Sequence, residues 1–221
     1  HLRGGVGAIA TQAFVSPLYG TDGIALLAGG ASAAEALEVV TARDAGRHSR
    51  QVHMIDAAGR SAAFTGADCI DWAGHLIGDS VSVAGNMLAG PRVVEATLRA
   101  YEDNRDLPLA ERLLAAMEAG ELEGGDKRGR QSAALRIVRG DAYPWLDIRT
   151  DDHGDPLAEL RRLLAVARER YLLVAEALPT ADNVSGLLDR SALDREVAVA
   201  EAARAAAGCA SASFATGPAG T

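Results

Sequence analysis

Gln51-Val52-His53-Met54-Ile55-Asp56-Ala57-Ala58-Gly59-Arg60-Ser61-Ala62-Ala63-Phe64-Thr65 is the stretch whose reading decides the fold class. Gln51 to Ala57 and Ser61 to Thr65 read as short strands, and Ala58-Gly59 between them suggests a hairpin. A second hairpin is expected from Ala133–Val138 with Trp145–Arg149. Upstream, the run from Val6 to Phe14 carries little polar surface and predicts a strand buried on both faces. Ser16-Pro17-Leu18-Tyr19-Gly20 is expected to be a turn, since Pro17 cannot donate to a ladder. Ser32 with Glu35 three residues on predicts a capping box and a helix to about Val40.

Downstream, Val81 to Leu88 predicts another strand. Pro91 and Pro108 each open a helix, the second ending at Gly120. Asp155 caps a long helix with Pro156 at its first position, running to about Leu178, and Ser191 to Ala207 forms an Ala-rich helix. Paired hairpins separated by helices favour an α+β fold of antiparallel sheets with helical layers over a wound parallel sheet. The expected division is a core of 1–155, helices packed on it or on a partner over 156–207, and a small-residue tail of 208–221.

The chain has 221 residues, enough for one sizeable core with a helical appendage. Aromatic residues make up only 4%, so Leu, Val and Ala must supply the packing. A formal charge of −8 argues against chain-wide attraction to nucleic acid or anionic membranes. No apolar stretch reads as a membrane span and no signal-peptide pattern is present, so a cytoplasmic location is expected. Cys69 and Cys209 are too few for a disulfide framework or a metal finger. The opening residue is His1 rather than Met, which suggests a preceding segment.

Polar chemistry gathers in Gly124-Gly125-Asp126-Lys127-Arg128-Gly129-Arg130-Gln131-Ser132. This is not a phosphate loop, because it joins a helix to a strand and has Arg130 and Gln131 where Lys and Ser or Thr are needed. Arg128 can grip a carboxylate with Asp126 holding it in place, while Gln131 and Ser132 can donate to an oxyanion. Thr11-Gln12, Asn86 and Thr65 are polar residues on otherwise apolar predicted strands near glycines, an anomaly that points to a common pocket. His153 is a candidate general base. The histidines lack zinc-ligand spacing, and neither metal nor cofactor is expected.

Six ordered blocks resemble the bacterial and archaeal domain-of-unknown-function family classed with the N-terminal nucleophile (Ntn) hydrolases. They are Gly5–Gln12, Tyr19-Gly20, Asp56–Arg60 with Phe64–Gly66, Gly85–Leu88, Gly124–Ala134 and Asp151–Pro156. The resemblance implies a four-layer αββα sandwich of two antiparallel sheets between helices, and cleavage of amide bonds by a processed N-terminal Thr, Ser or Cys. His1 departs from that pattern, and family members normally have a further strand pair before the Gly5 block. The tail from Ala210 to Gly217, read onward through Thr221 into His1–Gly4, resembles the family's approach to that block, so the tail is expected to supply a strand beside residues 6–14. The expected function is an Ntn-type hydrolase of a C–N bond in a small carboxylate-bearing substrate. Arg128 would anchor the substrate, Asn86, Gln12 or Gln131 would polarise the carbonyl, and Thr11 or a tail hydroxyl would attack or position water. Alternatives are a ligand-binding or assembly protein without self-processing, or a non-hydrolytic enzyme of cyclohydrolase or isomerase type. The terminal helices suit close contact, and a homo-oligomer, simplest as a dimer, is expected.

Overall fold

The computed structural model describes residues 1–216 as a mixture of helices and antiparallel sheets, in two compact units, His1–Arg130 and Gln131–Thr221. In the first unit β1 (Leu2–Arg3), β2 (Gly7–Ala13), β3 (Arg50–Asp56) and β4 (Ser61–Thr65) pair in that order into one antiparallel sheet. The register sets Gln12 opposite Gln51, and Gln51 opposite Thr65. Side chains alternate along a strand, so the sheet has two different faces. On one, Ile9, Val52, Met54 and Ala62 pack with Tyr19 and Leu27 of α1 (Pro17–Ala28) and with Ala33, Ala36 and Val40 of α2 (Ala33–Ala42). The other face carries Gln51 and His53 and meets the hairpin of β5 (Trp72–Gly78) and β6 (Val81–Leu88). Helix α3 (Pro91–Asp103) packs on β5 and β6 and against α4 (Leu109–Leu122).

Local chemistry explains these elements. The capping box of α2 forms, with Ser32 Oγ accepting from the Glu35 N–H and the Glu35 carboxylate accepting from the Ser32 N–H. Asp56, at the end of β3, is buried and ties three pieces together. Its carboxylate accepts from the backbone N–H groups of Ala33, Ala58 and Arg60 and from the Arg60 guanidinium. It therefore seats the start of α2 on the β3–β4 turn. Burial works against ionisation of Asp56, but these donors outweigh it and hold its carboxyl below the usual range.

Pro17 does not make a turn. It occupies the first position of α1, where its missing N–H costs nothing. Gly20 and Gly23 lower helix propensity there but allow close packing, since a Cβ at Gly23 would stand 2.6 Å from Ile9 Cδ1. Strand β5 was not foreseen from the sequence.

The second unit contains the hairpin of β7 (Ala133–Val138) and β8 (Pro144–Thr150), with α5 (Pro156–Val166) packed on it. The boundary between the two compact units lies between 130 and 131, where the expected division set its core at 1–155. The expected long helix continues through a π-helical segment, Ala167–Tyr171, into α6 (Leu172–Glu176). Helix α7 (Arg190–Ala206) packs on both. The tail is not a strand beside 6–14. Ser211 and the Ala212 N–H bind Glu169, Arg162 donates to the Ala212 carbonyl, and its guanidinium lies 4.0 Å from the centre of the Phe214 ring. The Ala212 N–H and carbonyl are thus bound to the π segment and α5 rather than to a strand. Residues 217–221 of the expected tail lie outside the described residues.

Candidate functional site

A cleft of about 720 Å³ opens in the first unit. Gln12, from β2, Asn86, from β6, and Arg128, from the loop after α4, line it together with Asp68 and Cys69. Two of its lining residues, Ala13 and Met87, hold a left-handed backbone with φ of 63° and 58°. Non-glycine residues in that region are strained, and such strain gathers at ligand sites.

The loop that carries Arg128 is docked on the end of β6. Leu88 and Asp126 form an isolated antiparallel bridge, the Lys127 N–H donates to the Met87 carbonyl, and the Ala89 N–H to the Gly125 carbonyl. Asp126 then grips Arg128 through two bonds, Nε to Oδ1 at 3.0 Å and Nη2 to Oδ2 at 2.6 Å. The pairing lowers the Asp126 carboxyl and raises the guanidinium, each chiefly through that side-chain hydrogen bond. A guanidinium has five N–H donors, so three remain after the two given to Asp126. Asp126 thus fixes the orientation of the Arg128 guanidinium, which lines the cleft with N–H donors to spare.

Beneath the cleft lies a polar network between the two sheets. Gln51 is fully buried, with 0% exposure. Its Oε1 accepts from Gln12 Nε2 at 2.6 Å. Its Nε2 faces three acceptors, Thr65 Oγ1 at 2.8 Å and the carbonyls of Gly74 and Gly85 at 2.9 and 3.0 Å. The register of β5 and β6 shifts between Trp72 and Gly74, and beside that irregularity the two carbonyls turn to Gln51. Thr65 Oγ1 also lies 2.8 Å from His75 Nδ1. Burial pushes the His75 pKa down. Next along β3, His53 Nδ1 meets Ser82 Oγ at 2.9 Å, and burial followed by the nearby His75 pushes its pKa down to about 4.

The structure sorts the residues expected from the sequence. Gln12, Asn86 and Arg128 come together in the cleft, Asp126 holds Arg128, and Thr65 lies in the network below. Thr11 does not join them. It is adjacent to Gln12 on a strand and so faces the helical side, where its buried hydroxyl has no hydrogen-bond partner. Gln131, Ser132 and His153 belong to the second unit. There Gln131 donates to Asp152, the His153 N–H binds the Gln131 carbonyl, and all three residues are exposed. His153 Nδ1 accepts from the Asp155 N–H, which makes it part of the turn before α5. Of the expected residues, those that follow Arg130 belong to the second unit.

Sequence reasoning missed Gln51, Asp68 and the two half-buried histidines as members of this region. Gln51 carried a readable signal, being a second carboxamide on an apolar strand with the same parity as His53. Cys69 lines the cleft, but burial raises its thiol pKa and its Sγ is directed to the Arg50 carbonyl at 3.5 Å, so it is a poor nucleophile. Among the described residues no cluster of three His, Cys, Asp or Glu side chains is arranged to hold a metal ion. Nor is any helix among them long and apolar enough to cross a membrane.

A family model described as a family of unknown function, DUF1028, matches residues 1–160. The chain belongs to the DUF1028 family. A crystal structure of a DUF1028 protein from Silicibacter pomeroyi is 33% identical, with 85% of this chain and 86% of that one covered and a TM-score of 0.76. No curated protein matches the sequence. The match to DUF1028 takes in every block on which the family resemblance rested, and it includes the whole cleft.

Proposed function

We propose that the first unit is a small-molecule site for a carboxylate-bearing amide, built on a four-layer αββα frame of the Ntn-hydrolase kind. The frame is supported by the packing order: α1 and α2 on one face of the four-stranded sheet, the β5–β6 hairpin on the other, and α3 with α4 beyond the hairpin. One observation carries the binding reading. A guanidinium pre-oriented by a carboxylate shares a cleft with two carboxamides, Gln12 and Asn86, between two strained backbone positions. Arginine recognises a carboxylate through paired N–H bonds, and the carboxamides can read the remaining polar atoms of a small amide.

The test is isothermal titration with small carboxylates bearing an amide, succinamate first. Arg128→Gln should weaken binding by about tenfold or more, and Arg128→Lys should recover part of the loss, because lysine keeps the charge but not the fork. Binding that is indifferent to both substitutions overturns this reading.

Amide hydrolysis at the same cleft is the second reading, and the Asn86 carboxamide favours it because its N–H can orient a scissile carbonyl. The attacking group is not Thr11, which faces the opposite side of the sheet. A proton NMR time course with succinamate separates the readings: release of ammonia and succinate supports hydrolysis, and an unchanged spectrum in the presence of binding leaves a binding protein.

A further inference from the structure

Resting on the reading of the cleft as a carboxylate site, we propose that its ligand must carry an N–H donor, as a carboxamide or ureido group does. Gln51 is the positioning residue that imposes this requirement. Two backbone carbonyls fix the Gln51 amide. Those of Gly74 and Gly85 can only accept, and they stand 2.9 and 3.0 Å from the end of the Gln51 side chain, so the amide nitrogen must face them. Gln51 Oε1 is then fixed on the opposite side, toward Gln12. At 2.6 Å the group facing it must be a donor, since two amide oxygens at that distance would repel. Gln12 therefore turns its nitrogen inward and is left with its Oε1 for the cleft that it lines.

That oxygen has no partner within the protein among the described residues. The Asp68 carboxylate in the same cleft also has none. The cleft thus offers the Arg128 guanidinium, the Asn86 carboxamide and two acceptors without a partner in the protein, Gln12 Oε1 and the exposed Asp68 carboxylate. A ligand matches it with a carboxylate for Arg128 and an N–H for Gln12. An ester of the same shape fills the space but gives Gln12 Oε1 no donor, so the amide is preferred. Gln12 consequently reads a donor and does not polarise a carbonyl through the hydrogen that it gives to Gln51.

The experiment compares succinamate with monomethyl succinate, which replaces the N–H group by an ester oxygen, in NMR titrations of the whole chain. The wild type should bind succinamate about tenfold more tightly. Gln51→Leu frees the Gln12 amide to rotate, and Gln12→Met removes the acceptor. In each the preference should fall close to one, while Arg128→Gln still weakens whatever binding remains. Should Gln51→Leu fail to fold, Gln12→Met carries the comparison from a half-buried position. Equal affinity of the wild type for both probes, with Arg128→Gln weakening both, overturns the N–H requirement and leaves the carboxylate reading standing. Absence of binding, or binding indifferent to Arg128→Gln, overturns both. A measurement without ligand tests the same geometry. Both Gln51 side-chain N–H hydrogens should be protected from exchange, and their rapid exchange would overturn the assigned orientation.

Discussion

Lowering the pH from 7 to 5 should destabilise the first unit through His53, before the carboxylates begin to titrate. The ring lies between the sheets against Ser82, and burial, then the neighbouring His75, sets its pKa at about 4 against an ordinary value of 6.5. A histidine with a depressed folded-state pKa binds fewer protons than in the unfolded chain, so its contribution is present above pH 6.5 and is lost as pH falls toward about 4. Integrated from pH 7 to pH 5, the loss is roughly 2 kcal/mol, and it approaches about 3 kcal/mol near pH 4. His75, lowered by its own burial, adds in the same direction. Asp44 has its carboxyl held at about 2, chiefly by the Tyr19 hydroxyl, so its contribution is lost only below the ordinary 3.8.

The assay is urea unfolding at pH 7, 6 and 5, followed by tryptophan fluorescence. The chain has two tryptophans, Trp72 on β5 and Trp145 on β8, so Trp145→Phe leaves a reporter confined to the first unit. His53→Gln keeps a neutral polar group opposite Ser82 and should flatten the pH dependence to the part that His75 supplies. An equal slope in wild type and His53→Gln would refute the reasoning.

Other outcomes follow from single contacts. Thr11→Val removes a buried hydroxyl without a partner, so stability should hold or rise by up to about 1 kcal/mol, and thermal melts check this; a clear loss would show that the hydroxyl is bonded. Leu114 of α4 is fully buried, and Leu114→Ala should cost about 2–5 kcal/mol in urea titrations. In thiol labelling at neutral pH the exposed Cys209 should react first, while Cys69 lags because burial raises its pKa.

Much of the frame could be read from local chemistry. The hairpin at 51–65, the capping box at Ser32 and the proline openings of α3 and α5 depend on residues a few positions apart, and each formed as expected. Helix α1 was hidden because Pro17 stops a strand as readily as it starts a helix, and Gly20 and Gly23 serve packing rather than propensity. The cleft was legible in its polar anomalies, Gln12, Asn86 and Arg128, yet not in its membership. Thr11 looked equivalent to Gln12 until the register placed the two on opposite faces. Gln51 stood out as a carboxamide on an apolar strand, but its role in the network rests on a partner 39 residues away. His153 and Gln131 sat in the same polar blocks as Arg128, and nothing in sequence spacing tells where one compact unit gives way to the next.

The most direct measurement is a titration of isotope-labelled protein with succinamate, read at the side-chain resonances of Gln12 and Asn86 and at the Arg128 Nε–H. The account predicts that these three shift together and saturate with one dissociation constant. Shifts that saturate elsewhere in the protein while these three stay unmoved would contradict it.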